Sequence, residues 1–175
     1  MLTTHDVKNY KIGDVVNIAN INWIVANRTE DTMSFVSDKI LGKTVWNVPH
    51  VVIKPEHGVH QIGIACKFKE SIVNYSCIWM YALICSNATF ELIRDEETQA
   101  FVHLPTKEQL EGEWKYFNDH TARACFDLNG NLCNYWTSSV SSSGNAWFVG
   151  SDGDLYSRRN PSYTLGFRPA FTIRI

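Results

Sequence analysis

Tyr135-Trp136-Thr137-Ser138-Ser139, Asn145-Ala146-Trp147-Phe148-Val149, Asp152-Gly153-Asp154 and Gly166-Phe167-Arg168-Pro169-Ala170-Phe171 follow one another in the stretch that closes the chain. Polar and aromatic side chains alternate along it and turn-forming pairs separate the runs, the pattern of short antiparallel strands joined by tight turns. Asn129-Gly130 and Asp152-Gly153 are the strongest hairpin signals, since both central residues of a type I′ turn need positive φ. Two hairpins are expected. In the second, period-two alternation puts Trp147, Val149, Tyr156 and Arg158 on one face and Ala146, Phe148, Leu155 and Ser157 on the other.

Outward from this stretch, Phe171, Ile173 and Ile175 alternate with Ala170, Thr172 and Arg174, giving a closing strand with one buried face. Near the other end, Val15–Ile18, Ile21–Ala26 and Thr32–Ser37 read as a meander turning at Ala19-Asn20 and at Arg28-Thr29-Glu30-Asp31. Trp23 and Val25 lie opposite Ile24 and Ala26, so the middle strand is expected to be buried on both sides. In Leu104-Pro105-Thr106-Lys107-Glu108-Gln109, Thr106 and Gln109 form a capping box. The helix it opens runs from Lys107 to about Asn118, with Leu110, Trp114 and Phe117 on one face. Between Lys69 and Cys85, the spacing of Ile72, Tyr75, Ile78, Trp79, Tyr81, Ala82 and Cys85 suits a helix with a wide apolar face, a strand pair being the alternative. From Leu41 to Gly63 the signals weaken, because Pro49, Pro55, Gly58 and Gly63 interrupt the apolar groups.

The C-terminal motifs, the Leu104-Pro105-Thr106 helix start and the run from Gly13 to Trp23-Ile24-Val25 resemble the C-type-lectin-like fold. The resemblance is to the branch holding formylglycine-generating enzymes, phage tropism determinants and a bacterial and phage family that ends in GFRPA or GVRPA. It implies one α+β domain over residues 1–175, with short antiparallel strands, two helices and the strand at Ile21–Ala26 beside the one at Phe171–Ile175. Residues 41–101 have no counterpart and stand as an insertion or variable region. That branch displays variable binding surfaces. Within its signature, Gly166 is expected to permit a bend, Phe167 to fill the core, and Arg168 to hold a carboxylate or loop carbonyls with its planar fork.

Composition narrows the function classes. A 175-residue chain that is 45% hydrophobic and 19% charged is long enough for one well-buried domain. A net charge of -2, with Arg158-Arg159 as the one adjacent basic pair, supplies no general pull toward nucleic acid. The first residues lack a secretory apolar region and no run approaches a membrane span, so a cytoplasmic location is expected and no membrane partner. Five cysteines without a Cys-x-x-Cys pair are expected to be thiols.

No cluster names a reaction. Cys125 and Cys133 flank Asn129-Gly130 and invite comparison with the reactive cysteines of formylglycine-generating enzymes, yet neither has an activating base or cation beside it in sequence. His57 and His60 supply two ligands where a zinc site wants three or more. Asp152 and Asp154 are too few for calcium and read as a turn, and Glu108, Glu111 and Glu113 read as solvated helix carboxylates. No metal and no cofactor are expected. The binding candidates are Trp147, Tyr156, Arg158, Arg159, Asn160 and Tyr163, aromatic and arginine anchors among small polar residues. The expectation is a non-catalytic module that binds protein, in the setting of a phage or mobile-element inhibitor of a bacterial defence protein. A virion component that binds a receptor or glycan is the alternative, and a cysteine-dependent oxidase comes third.

Overall fold

The computed structural model describes residues 1–46, 50–54, 58–62, 72–141 and 144–175. Along the chain run β1 (Leu2–Thr3), α1 (Thr4–Val7), β2 (Val15–Ile18), β3 (Ile21–Arg28), β4 (Thr32–Ser37), β5 (Gly42–Val45), β6 (His50–Lys54) and β7 (Gly58–Ile62). They are followed by α2 (Ile72–Asn87), β8 (Ala88–Thr89), β9 (Leu92–Ile93), β10 (Val102–His103), β11 (Tyr135–Val140), β12 (Ala146–Val149), β13 (Leu155–Arg159), β14 (Thr164–Phe167) and β15 (Ala170–Arg174). The architecture is α+β, mostly sheet. One sheet has the order β10-β15-β4-β3-β2, with β9 also pairing with β15, and the second has the order β13-β12-β11-β14-β5. β6 and β7 form a separate hairpin.

The first sheet is buried on both faces, as the composition of β3 requires. Trp23 and Val25 join Phe35, Phe171, Ile173, Trp136 and the inner side of α2 in one core, while Ile24 and Ala26 join Leu110, Trp114, Phe117 and Tyr135 in the other. β3 and the C-terminal strand share this sheet but are not neighbours. β4 lies between them, with Phe35 opposite Val25 on one side and Phe171 on the other. The physical reason is the tight turn at Thr29–Thr32, where the Thr29 hydroxyl accepts from Thr32 N at 3.0 Å. It folds β4 straight back onto β3, so the edge left open for β15 belongs to β4.

Turn chemistry separates the hairpins. At Ala19-Asn20 both residues have positive φ (56° and 63°), a type I′ turn. At the two expected type I′ sites only the glycine does, Gly130 at 82° and Gly153 at 88°. Gly153 N donates to Gly150 O at 3.0 Å and Gly150 N to Asp154 O at 2.8 Å, with Gly130 N and Asp127 N making the equivalent bonds to Asp127 O and Asn131 O. Each is a type I turn followed by a left-handed glycine, one residue longer than the sequence reading assumed. The extra residue moves the register: Val149 pairs with Leu155 and Phe148 with Tyr156. A one-residue slip exchanges faces, so Tyr156 lies with Phe148 and not with Trp147.

The two expected helices also need correction. The capping box at Thr106 is present, with Gln109 N donating to Thr106 Oγ1 at 3.1 Å and Thr106 N to Gln109 Oε1 at 2.9 Å. The coil then widens to a π-turn at Gln109–Glu113 and breaks at Gly112, whose φ of 147° no helix accepts, before a 3₁₀ turn at Lys115–Asn118. Leu110, Trp114 and Phe117 are nevertheless all buried. In α2 the buried side is Cys77 and Ile84, continued by Ala88, while Ile78, Trp79, Ala82 and Cys85 point outward. The helix is apolar around its circumference, so spacing alone did not select the core side.

The Gly166-Phe167-Arg168 signature is structural. A Cβ on Gly166 would sit 2.8 Å from Asn134 O and 2.8 Å from Ile40 Cγ2, so the glycine permits close approach of β14 to β11 and not a bend. Phe167 is core. Arg168 is fully buried and its fork reaches carbonyls, not a carboxylate: Nε donates to Ser37 O at 3.0 Å and a terminal nitrogen to Tyr135 Oη at 3.1 Å and Arg123 O at 3.4 Å. Burial works against its charge, but the neighbouring Tyr135 and Cys125 hold the guanidinium above the ordinary arginine range.

Candidate functional site

β13 is the outer strand of the second sheet, and its irregularity builds the site. Ala146 pairs with Arg159 and Phe148 with Tyr156, so three steps on β13 match two on β12. This bulge puts Tyr156 and Arg159 on one face, which strict alternation forbids for residues three apart. Both close on Phe148: the Tyr156 ring stacks on it at 5.4 Å and 24°, and the Arg159 guanidinium lies 5.6 Å from its centroid. The Arg159 guanidinium also lies over the Tyr163 ring, 5.3 Å from its centroid. Asn160 makes that return possible, since its Oδ1 accepts from Ser162 N at 3.0 Å and Ser162 Oγ at 2.9 Å, while Tyr163 N donates to Asn160 O. Asn160 therefore shapes the turn that brings Tyr163 over the arginine.

Inward, the row continues from Phe148 to the buried Trp136, which meets it edge-on at 6.3 Å and donates its indole N–H to Thr44 O. The aromatic ladder thus runs from a sealed interior to Tyr156, 37% exposed at the rim. Asp152 fixes the outer ring: Tyr156 Oη donates to its Oδ2 at 2.6 Å. That bond, helped by Asp154 N, holds the Asp152 carboxyl below the usual carboxylate range and raises the Tyr156 phenol. Gly150 gives the ring its room, because a Cβ there would lie 2.7 Å from Tyr156 Cε2. An open cavity of about 420 Å³ results, lined by Asn134, Phe148, Gly150, Asp152, Tyr156 and Arg159 among others. Among the described residues Arg159 has two aromatic neighbours and no hydrogen-bond or ion-pair acceptor.

Of the six sequence candidates, the structure unites Tyr156, Arg159 and Tyr163, with Asn160 as their support. Trp147 is separated from them. It is partly exposed and carries Lys107 Nζ over its ring at 5.1 Å. The Arg158 side chain lies outside the described residues, as do His57 and the His60 side chain. Sequence reasoning did not single out Phe148, a core residue whose ring forms the floor under Tyr156 and Arg159, and it read Asp152 only as part of a turn. The readable signal was Gly150 beside a hairpin that carries an aromatic on the returning strand.

Three other groupings bear on chemistry. Near Lys107, Ser139 Oγ lies 3.3 Å from Glu97 and 3.5 Å from Glu108. Burial, then the Glu108 charge, raises the Glu97 carboxyl; Glu108 itself is exposed, as are Glu111 and Glu113, in keeping with solvated carboxylates. Cys125 and Cys133 are neighbours through Cys133 N to Cys125 O, and both are free thiols; burial raises the Cys125 thiol, and a slight burial followed by Asp127 raises that of Cys133. Neither is primed as a nucleophile. Among the described residues no three His, Cys, Asp or Glu side chains come together to hold a metal ion, and no helix is long and apolar enough to cross a membrane.

Residues 90–175 match the family model described as Domain of unknown function (DUF6273). The match holds β9 to β15 and the whole aromatic ladder, and excludes α2. Comparison with curated proteins and with solved structures gives no match.

Proposed function

We propose that this chain is a non-catalytic recognition module of C-type-lectin-like architecture that binds a protein through the face of Phe148, Tyr156, Arg159 and Tyr163. The observation that carries the reading is the Arg159 guanidinium packed against the rings of Phe148 and Tyr163 with no acceptor among the described residues. Ordering a long side chain costs about 0.5–1.5 kcal/mol on binding. The rings impose that order beforehand, and tyrosine and arginine are the residues that dominate interface energies. The lectin-like architecture is supported by β3 and β15 lying in one sheet and by a second sheet built largely from the C-terminal strands.

Capture from bacterial lysate by the immobilised protein, run in parallel with Tyr156→Ala and Arg159→Ala, tests the reading. At least one captured protein is expected to disappear with both variants while their melting temperatures stay at the parent value. Capture indifferent to both removes this face from the function. An envelope receptor among the lost proteins points to a virion component, a cytoplasmic nuclease to an inhibitor. A glycan ligand is the second reading, favoured by Asn134 and Asp152 lining the cavity next to Tyr156. Binding on a glycan array that Tyr156→Ala abolishes, with or without calcium, would put it first.

A further inference from the structure

Helix α2 carries no charged residue in its sixteen positions, Ile72–Asn87. A surface helix of a globular domain ordinarily sets a charged face against the solvent. Here the core takes Cys77 and Ile84, and Tyr81 is held on the shoulder by stacking on Phe101 at 5.2 Å, with Arg94 over the far ring. The side turned away from the core carries Trp79, 80% exposed, with Ile78 (55%), Ala82, Leu83 (36%) and Ser86. Single exposed apolar residues are ordinary, but a contiguous apolar patch marks an interaction site.

We propose that this face pairs with a second copy of the chain, the two helices antiparallel about a two-fold axis that passes between Ala82 and Leu83. Trp79 and Ser86 are equidistant from that axis, and so are Ala82 and Leu83. Each copy therefore sets its large Trp79 against the partner's Ser86, and its Leu83 against the partner's Ala82. A single surface that offers a knob and a hollow at symmetric positions is what an isologous contact requires. The small residues let the helices approach to about 8–10 Å. With no charge on the helix, apposing two identical surfaces meets no like-charge repulsion, while Arg94 stands at the rim. Trp79 alone presents roughly 200 Å². The whole patch comes to about 400–500 Å² per copy, so two copies bury about 800–1,000 Å², below the size of stable interfaces and in the range of weak, transient ones. The dimer is accordingly weak and dependent on concentration. This surface is separate from the aromatic ladder and does not rest on the function proposed for it.

Sedimentation equilibrium of the full chain under reducing conditions, over about a hundredfold range of concentration, reads the association directly. A monomer–dimer equilibrium is expected that Trp79→Glu and Ser86→Arg each abolish, with melting temperatures of the dilute protein unchanged because both side chains are exposed. In a Cys85→Ser background, Leu83→Cys is expected to give an interchain disulfide with diamide faster than Ile78→Cys does, since the axis brings the two copies of residue 83 together. A monomer at every concentration overturns the proposal, as does a dimer that survives Trp79→Glu. A monomer whose tryptophan emission shifts to the blue on phosphatidylcholine vesicles, a shift that Trp79→Phe removes, overturns it in favour of a lipid surface.

Discussion

Replacing Arg168 with alanine tests the reading of the Gly166-Phe167-Arg168 signature most sharply. The substitution removes the Arg168 donor from Ser37 O, Tyr135 Oη and Arg123 O; Arg123 O still accepts from Tyr135 Oη at 2.8 Å, so Ser37 O and Tyr135 Oη are the acceptors that lose this donor without that replacement. It also removes a cation lying 5.4 Å from the Phe117 ring and 5.3 Å from that of Tyr135. An orphaned buried acceptor costs about 1–3 kcal/mol, and losing a long buried stem adds about 2–5 kcal/mol for the cavity. Relief from burying a charge offsets part of this, which leaves a net loss of about 3–5 kcal/mol, typical of removing one member of a buried charged network. At about 2–4 °C per kcal/mol for a domain of this size, the melting temperature is expected to fall by roughly 6–20 °C. Arg168→Met keeps the stem and loses only the donors, so it should fall about half as far. Arg168→Lys should also fall, since a point ammonium cannot span Ser37 on one side and Tyr135 on the other. Thermal melts followed by circular dichroism, paired with urea titration, measure all three. A melting temperature for the alanine variant within about 2 °C of the parent, with ligand binding lost, would refute the structural role and place Arg168 in a recognition site.

Two glycines at equivalent turn positions should respond differently to alanine. Gly130→Ala meets nothing within 4 Å and should cost only the left-handed strain of about 1–2 kcal/mol, whereas a Cβ on Gly153 would stand 2.2 Å from His120 O and should cost at least 2 kcal/mol more, as read from chemical denaturation. His103 is fully buried and burial lowers its pKa from 6.5, with Nδ1 bonded to Leu104 O and Nε2 3.8 Å from Asp95. The unfolded chain binds this proton more readily than the folded one, so stability should be complete above pH 6.5 and decline as pH falls below it toward the lower folded value. His103→Gln should flatten the melting temperature across that window. The loss below about pH 4 should remain, since it belongs to Asp6, Asp119, Asp127 and Asp152, whose carboxyls are held low by local hydrogen bonds.

The sequence by itself determined whatever depends on neighbours along the chain. β2 and β4 were legible residue for residue, and β3 in its start and its two buried faces, because Trp23-Ile24-Val25-Ala26 has no polar side to offer water. The capping box at Thr106 was legible because both of its bonds join residues three apart. The tertiary structure decided what depends on one residue of length or on distant partners. Asp152-Gly153 announces a turn, but whether the loop holds two residues or three is settled by where Gly150 and Asp154 meet, and that step alone moved Tyr156 from Trp147 to Phe148. The bulge in β13, which gathers Tyr156 and Arg159 on one face, depends on pairing with β12 and leaves no mark in local composition. The inward side of α2 was equally undetermined, since a helix apolar all round buries whichever side the sheet presents a surface to. Arg168 showed its shape in the sequence but not its partners, because the carbonyls of Ser37 and Arg123 lie 131 and 45 positions away along the chain and reach it only once the chain between has folded.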